Sequence, residues 1–455
     1  MTQQEPQKLT MEMLMEYLAS GEKPKEAFRI GTEHEKFGFH IPTRTPLGFE
    51  GRKGIQSLLE AILKDPQSAP RGEPWKPLRE AGKLVGLASG SMSISLEPAG
   101  QLELSGAPLK TIHETAHEVR QHFRLLRRFC GPNNVGFLAT GYHPFYHWST
   151  LPQMPKARYG IMRNYMPTKG RRGLEMMHAT TTIQANLDFS SEQEMVEMFK
   201  LALAITPLVT TLFANSPFLE GKASGALSER SLVWMDTDPD RSGFPSCVFE
   251  KDFGYEKWMN WVLDVPMYFI HRDGEYHDVA GASFRDFMSN GLLGHEATII
   301  DFENHLSTVF PHVRLKKFLE VRCADGGPIK FISALPALWK GLLYDETARQ
   351  QAWALMDDPS LDELNSFQKE VAIKGFDAVY REQSCHDLCA SLVDLARDGL
   401  VRQGAKNDDG EDETIFLRAV EEVVQRRQTP AERLLWKLNT FWDGDLQRLW
   451  KSRVD

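Results

Sequence analysis

Only five cysteines occur in 455 residues: Cys130, Cys247, Cys323, Cys385 and Cys389. An odd, sparse set in a long chain is not a disulfide framework, and a reducing cytoplasm is the expectation. A basic surplus is also missing. The 53 Lys and Arg stand against 62 Asp and Glu, a formal charge of −9, which argues against nonspecific nucleic-acid binding. No apolar run is long enough to span a bilayer. The longest, residues 201–214, is interrupted by Pro207 and reads as a buried helix, so no membrane partner is expected. The opening MTQQEPQKLTMEM lacks the basic start and apolar run of a secretory signal. Neither G-x-x-x-x-G-K-S/T nor G-x-G-x-x-G occurs, which disfavours a P-loop or Rossmann nucleotide site. What is present suffices for a large core: 42% hydrophobic residues, ten of them Trp.

Two stretches place carboxylates where a fold rarely tolerates them without a use. Residues 29–39 read RIGTEHEKFGF and residues 93–105 read SISLEPAGQLELS. Both are expected as β-strands, in which residues two apart share a face. Glu33 and Glu35 then point together, as do Gln101, Glu103 and Ser105. Like charges side by side on a sheet repel unless water or a cation separates them. An all-oxygen cluster suits Mg²⁺ or Mn²⁺. In FLEVR, Glu320 and Arg322 share a face while Leu319 and Val321 face a core. A longer alternation, residues 176–189, sets His178, Thr180, Thr182, Gln184, Asn186 and Asp188 opposite apolar neighbours. That is the pattern of a half-buried antiparallel strand. The expected fold is therefore α+β: one mainly antiparallel sheet, helices under its apolar face, and a site on its polar, acid-rich face.

Helical periodicity marks Met11–Ala19, Ile55–Lys64, 111–130 and 192–213, with a capping box from Ser191 and Glu194 at the start of the last. From about Trp339 the chain reads as mostly helical, with Thr429-Pro430-Ala431-Glu432 as a helix start. Residues 404–413, GAKNDDGEDE, read as an exposed loop with solvated acids, and Glu50 and Glu60 are likewise expected in solvent. This divides the chain into a catalytic sheet core, 1–338, and a helical layer, 339–455, packed on it as one structural unit.

Some motifs weigh against themselves. His113-Glu114-Thr115-Ala116-His117 matches the H-E-x-x-H zinc-peptidase pattern. On a helix, however, His113 and His117 share their stripe with Arg120 and Arg124, cations that would repel Zn²⁺. The metzincin third-ligand position, 123, holds Phe. Cys385 and Cys389, four apart on a probable helix, lack the further ligands a zinc site needs.

Several blocks together resemble one family: RIGTEHEKFGF, SISLEPAGQLELSGAP, RYGIMRNYMP, LFANSPF, RSLVWMDTDPDR, LDVPMYF and ENHLSTVFPHVRLKKFLEVRCADGG. In this order they resemble the glutamate–cysteine ligases of the plant and proteobacterial type, from about Phe28 onward. The resemblance implies a curved antiparallel sheet like that of glutamine synthetase. It also implies ligation of L-glutamate to L-cysteine with ATP and Mg²⁺, Mn²⁺ being a possible substitute. Metal ligands would be Glu33, Glu35, Glu97, Glu103 and Glu320. Arg322, Glu97 and Glu103 would act in catalysis. Arg230 would hold the α-carboxylate of glutamate, unless it pairs with Asp236 or Asp238. Arg163 is a second anion candidate, Gln184 and Asn186 line the metal and phosphate region, and Tyr165 and Trp234 belong to the cysteine pocket. His178 and His305 are site-lining or core histidines. The positions matching one cysteine pair of the plant enzymes are Ala116 and Ser333, so redox control does not carry over and a monomer or weak homodimer is expected. The rivals are another ATP-dependent γ-glutamyl–amine ligase, a zinc peptidase using His113 and His117, and a nonenzymatic Mg²⁺- or nucleotide-binding protein.

Overall fold

A computed structural model describes residues 8–452. The first seven residues, MTQQEPQ, and the last three of the helical layer lie outside the described residues. The main sheet has nine strands, all paired antiparallel: β1 (Ile30–His40), β2 (Lys76–Glu80), β3 (Lys83–Ser89), β4 (Met92–Leu96), β5 (Leu102–Ser105), β6 (Val135–Leu138), β7 (Thr182–Leu187), β8 (Val313–Leu315) and β9 (Leu319–Asp325). Their spatial order is β8-β9-β7-β1-β5-β4-β3-β2, with β6 on the far end of β1. The α+β expectation holds.

Register explains why carboxylates meet. Glu35 lies opposite Glu103, Glu103 opposite Ser95, Glu33 opposite both Ser105 and Gln184, and Glu320 opposite Asn186 and Arg314. Cross-strand partners share a face, so one pleat collects acids from β1, β5 and β9. The other pleat carries Ile30, Leu102, Leu104, Ile183, Ala185, Leu319 and Val321, all buried. Helices cover this apolar side. Ile112–Asn133 packs through Ile112, Ala116, Val119 and Phe123, and Ile329–Leu343 is buried almost throughout.

The second acidic stretch is a hairpin rather than one strand. The chain reverses at Glu97–Gly100, where Gly100 N–H donates to the Glu97 carbonyl at 2.9 Å. Gly100 has φ +84°, a conformation that favours glycine. Glu97 therefore sits on the turn, not on a strand face. The long alternation is also shorter than expected. Residues 173–179 form a helix, His178 bonding the Leu174 carbonyl at 2.9 Å, and the strand begins at Thr182. Met176 and His178 obey period 2 by coincidence over too few residues to exclude period 3.6.

The helices Met11–Ala19 and Ile55–Lys64 fall where their periodicity places them. Residues 192–213 split into Glu192–Ala204 and Thr206–Phe213, bent by 51° ahead of Pro207. Among the described residues no single helix is long and apolar enough to cross a membrane. This bent pair passes that test only as a pair, and its apolar side chains fill the core. Ser191 caps Glu194 N–H, but the Glu194 carboxylate turns to Ser190, so the box is half made. Thr429 and Glu432 make theirs fully. The helix Ile329–Leu343 runs through the 338/339 division, which therefore marks a change of composition rather than a break in the chain. Glu413 is not solvated. It is fully buried, accepts from Ile112 N–H at 2.7 Å and pairs with Lys340 at 2.6 Å, fastening the helical layer to the core. Glu50 is exposed as expected, whereas Glu60 is half-buried and accepts from Gln56.

Candidate active site

The polar face of the sheet forms the floor of a cavity of about 240 Å³. Glu33, Glu35, Glu97, Glu103, Gln184, Arg230, Trp234 and Arg322 all line it. Eight of the twelve positions singled out by sequence thus converge on one space. Asn186 stands just behind, its Nδ2 donating to Glu33 Oε1 at 2.8 Å while its Oδ1 is buried without a partner. Gly31, opposite Asn186, permits this: a Cβ there would meet the Asn186 side chain at 3.3 Å.

The acids divide into two electrostatic groups. Burial raises Glu33 to about 7, helped by Glu320 and Glu103. Burial, then Glu97 and Glu103, push Glu35 well above the usual carboxylate range. Burial and Glu97 raise Glu103 too, against the hydroxyls of Ser95 and Ser105 that donate to it at 2.8 and 2.9 Å. Glu320 goes the other way. Burial pushes it up, but Arg314, Lys316 and Arg322 outweigh burial and hold it well below the usual range. Arg314 grips both oxygens at 2.7 and 2.8 Å, Lys316 stands at 2.9 Å, and Arg322 touches Oε1. Each direction follows from whether the buried charge has counter-charges.

Arg322 and Arg230 meet at a defect in the sheet. Between Val321 and Ala324 the β9–β7 register shifts, so Arg322 and Cys323 bulge from the ladder. Bulges re-aim side chains and leave backbone groups unpaired. Arg230 takes up those groups, donating to the Cys323 carbonyl at 3.2 Å and the Arg322 carbonyl at 2.9 Å. The structural pairing considered for Arg230 is absent, because Asp236 pairs with Arg171 and Asp238 with Arg241. Arg230 rides on the short helix Glu229–Trp234, capped by Ser228, whose hydroxyl is held by buried Asp325 at 2.8 Å. Arg230 Nε and Trp234 Nε1 are both buried donors without an acceptor. The Arg230 guanidinium lies 5.6 Å from the Trp234 ring centre. Buried donors normally find partners, so this corner is built to receive an acceptor. Arg322 is aimed by Gln184, which accepts from it at 2.7 Å.

Two candidates are not brought to the cavity. On the helix Ala157–Tyr165, the side chains lining it are Arg158, Tyr159 and Met162, while Arg163 points away with its NH1 buried and unpartnered. Tyr165 packs edge-on against Tyr268 at 5.2 Å, outside the lining. His178 is a bonded core histidine. His305 bonds the Val262 carbonyl at 2.9 Å and stacks on Phe284, also away from the cavity. Sequence reasoning missed Arg158, Arg314, Met177, Phe269 and Phe310, which line the cavity too. Helical period within RYGIMRNY would have set Arg158 and Met162 on one face. Phe269 and Phe310 carry no local signal.

The peptidase motif does not assemble. His113 packs on Phe416 at 5.1 Å, whereas His117 faces a different cavity, behind the sheet. Glu114, the would-be base, is spent in a capping box with Thr111. Among the described residues no group of three or more His, Cys, Asp or Glu closes on a metal position unaided.

A family model described as glutamate–cysteine ligase family 2 matches residues 29–452. The chain belongs to this family. It is 46% identical over 447 residues to glutamate–cysteine ligase B, chloroplastic, of Oryza sativa subsp. japonica, covering 98% of this chain and 87% of that one. It is 47% identical over 437 residues to the chloroplastic glutamate–cysteine ligase of Nicotiana tabacum, covering 95% and 81%. A similar fold occurs in a crystal structure of glutamate–cysteine ligase from Francisella tularensis in complex with AMP, with TM-score 0.53, 13% identity, and coverage of 93% of this chain and 88% of that one. The relatives correct one expectation. They are named chloroplastic, which points to a plastid rather than the cytoplasm. All five cysteines are buried. Sparse thiols report a reducing environment, and that is not peculiar to one compartment.

Proposed function

We propose that this member of glutamate–cysteine ligase family 2 joins the γ-carboxyl of L-glutamate to the amine of L-cysteine with ATP, through γ-glutamyl phosphate, the first step of glutathione synthesis. The observation that carries the reading is one cavity lined both by mutually repelling carboxylates and by Arg and Trp donors without an acceptor. Joining a carboxylate to an amine is uphill, and phosphorylating the carboxylate makes phosphate the leaving group. That needs cations around ATP, a clamp on glutamate and exclusion of water.

Glu33, Glu35, Glu97 and Glu103 fit divalent ions, since their donors are all oxygen and, at Glu33, Glu35 and Glu103, burial and mutual repulsion outweigh the cations nearby. Asn186 Oδ1 is a further free oxygen beside them. Glu320 fits less well as a ligand, because three cations already occupy its oxygens. The metal there would be Mg²⁺, or Mn²⁺ in its place, its coordination completed by phosphate oxygens and water. Bound there, such ions would neutralise phosphate charge. Arg322, fixed by Glu320 and Gln184, supplies positive charge beside the transferring phosphoryl. Arg230 and Trp234 offer Nε and Nε1 to the substrate α-carboxylate, a task that suits a planar guanidinium. Met162, Met177, Phe269 and Phe310 wall the cavity against water, which would hydrolyse an acyl phosphate. The chain is proposed to work as a monomer or weak homodimer.

ADP release by purified protein, measured with Mg²⁺, glutamate and single amines, tests this. Release that needs both glutamate and cysteine, with γ-glutamylcysteine formed, is the expected result. Release with another amine instead keeps the chemistry and changes the substrate. No release by folded protein with any amine overturns the proposal.

A further inference from the structure

A second cavity, of about 170 Å³, shares no residue with the first. It lies where the helices Arg418–Arg426 and Pro430–Thr440 close over the N-terminus of Ile329–Leu343. Its apolar floor includes Leu138, Phe331, Val423 and Leu449, all buried. Its rim is cationic: Lys330, Arg426, Arg433 and Lys437 face it, with Glu422 the only acid lining it among the described residues.

That one carboxylate is shared three ways. Lys330 stands at 2.8 Å from it, Arg426 at 3.0 Å and Arg433 at 3.5 Å. Lys437 is half-buried, and among the described residues it has no acidic partner. Burial and the neighbouring Arg433 both push its ammonium down. The helix Ile329–Leu343 begins at Pro328 with no side-chain cap, so its N-terminal N–H groups add positive potential to the same space. A surplus of charge over an apolar floor, with an uncapped helix start, is the inverse of the acid-rich site.

We propose that this cavity binds a small organic anion carrying two or more negative charges, as phosphate or carboxylate groups on an apolar skeleton. The ring or chain rests on Phe331 and Leu449. The anionic groups take the free donors of Arg433, Arg426 and Lys437, relieving the repulsion between Arg433 and Lys437. Planar guanidinium forks suit either oxyanion, so chemistry at the rim is shared by both classes.

Titration calorimetry with phenyl phosphate and with isophthalate, without ATP, glutamate or Mg²⁺, separates the two classes and does not depend on the ligase reading. Saturable 1:1 binding of at least one probe to the full chain is expected. Lys437→Gln should weaken it at least threefold, and Arg433→Gln with Lys437→Gln at least tenfold. Lys437 makes no ion pair, so the single variant is expected to melt with the wild type and stays informative if the double variant unfolds. Arg230→Lys should leave probe binding unchanged. Saturable binding of neither probe, binding undiminished in Lys437→Gln, or binding lost in Arg230→Lys would overturn the proposal, the last by placing the anion in the acid-lined cavity.

Discussion

Glu35 and Glu320 are the same residue type on strands of one sheet, Glu35 half-buried on the cavity floor and Glu320 buried behind it, yet their carboxyls are pushed in opposite directions. Glu35 faces Glu97 and Glu103 and is pushed well up. Glu320 is gripped by Arg314, Lys316 and Arg322 and is held well down. Burial sets the size of the stakes and the neighbours set the sign. On the proposed function the acids lining the cavity take a cation, whereas Glu320, which does not line it, has its cations already and helps to fix Arg322. On that proposal the lining acids wait for a ligand at some cost in stability, and Glu320 acts as structural support.

The contrast breaks most visibly at Glu320. Glu320→Gln leaves Arg314 and Lys316 without their counter-charge, and loss of one partner of a buried ion pair costs about 3–5 kcal/mol. A large drop in Tm is expected, and an unchanged Tm would refute the support role. Glu35→Gln should do the reverse. Gln can still accept from Thr182 N–H, the bond Glu35 makes at 3.0 Å, so Tm holds or rises. ADP release should nonetheless fall by about a hundredfold or more, the scale of losing an electrostatic stabiliser. Near-native turnover would remove the metal-binding role. Arg230→Lys should raise the KM for glutamate roughly tenfold or more, by losing charge-assisted bonds of about 1.5–3 kcal/mol, with a smaller effect on kcat. Unchanged KM would leave Arg230 only its bulge-capping role.

A finer probe is pH. Glu33 rises from 4.5 to about 7 in the fold. For a raised carboxyl the stabilising contribution is full below 4.5 and is lost as pH rises through about 7, because the folded state binds the extra proton. Metal-free protein should therefore lose stability over that window by a margin that is absent in Glu33→Gln. Mg²⁺ should restore it at pH 8 in the wild type, replacing the proton. Melting curves at pH 5 and 8, with and without Mg²⁺, read this directly. The same fall in Glu33→Gln would assign it elsewhere.

Much of this site could be read before folding. Period-2 patterns located β1, β7 and β9 and put Glu33 with Glu35 and Glu320 with Arg322 on common faces, because strand geometry makes neighbours of residues two apart. The same rule failed at residues 176–180, where four alternating residues belong to a helix end. It also failed at Glu97, where Pro98 and Gly100 turn the chain. The motif around Arg163 does not state which face of its helix meets a cavity, and Arg158 is the arginine that lines it. Glu413, in a run of acids that looks solvated, is buried by Lys340, 73 residues away in sequence.

Local sequence determined the strands of the site, their polar faces, the cap at Thr429 and the family to which the chain belongs. These depend on backbone periodicity and on bonds between residues a few positions apart. Only the tertiary structure decided which acids would be starved of cations and which saturated. It also aimed Arg230 at the β9 bulge, and it gathered Lys330, Arg426 and Arg433 around a single glutamate with Lys437 beside them. Those outcomes rest on Coulomb interactions between residues distant in the chain, and their sign is fixed by who arrives beside whom.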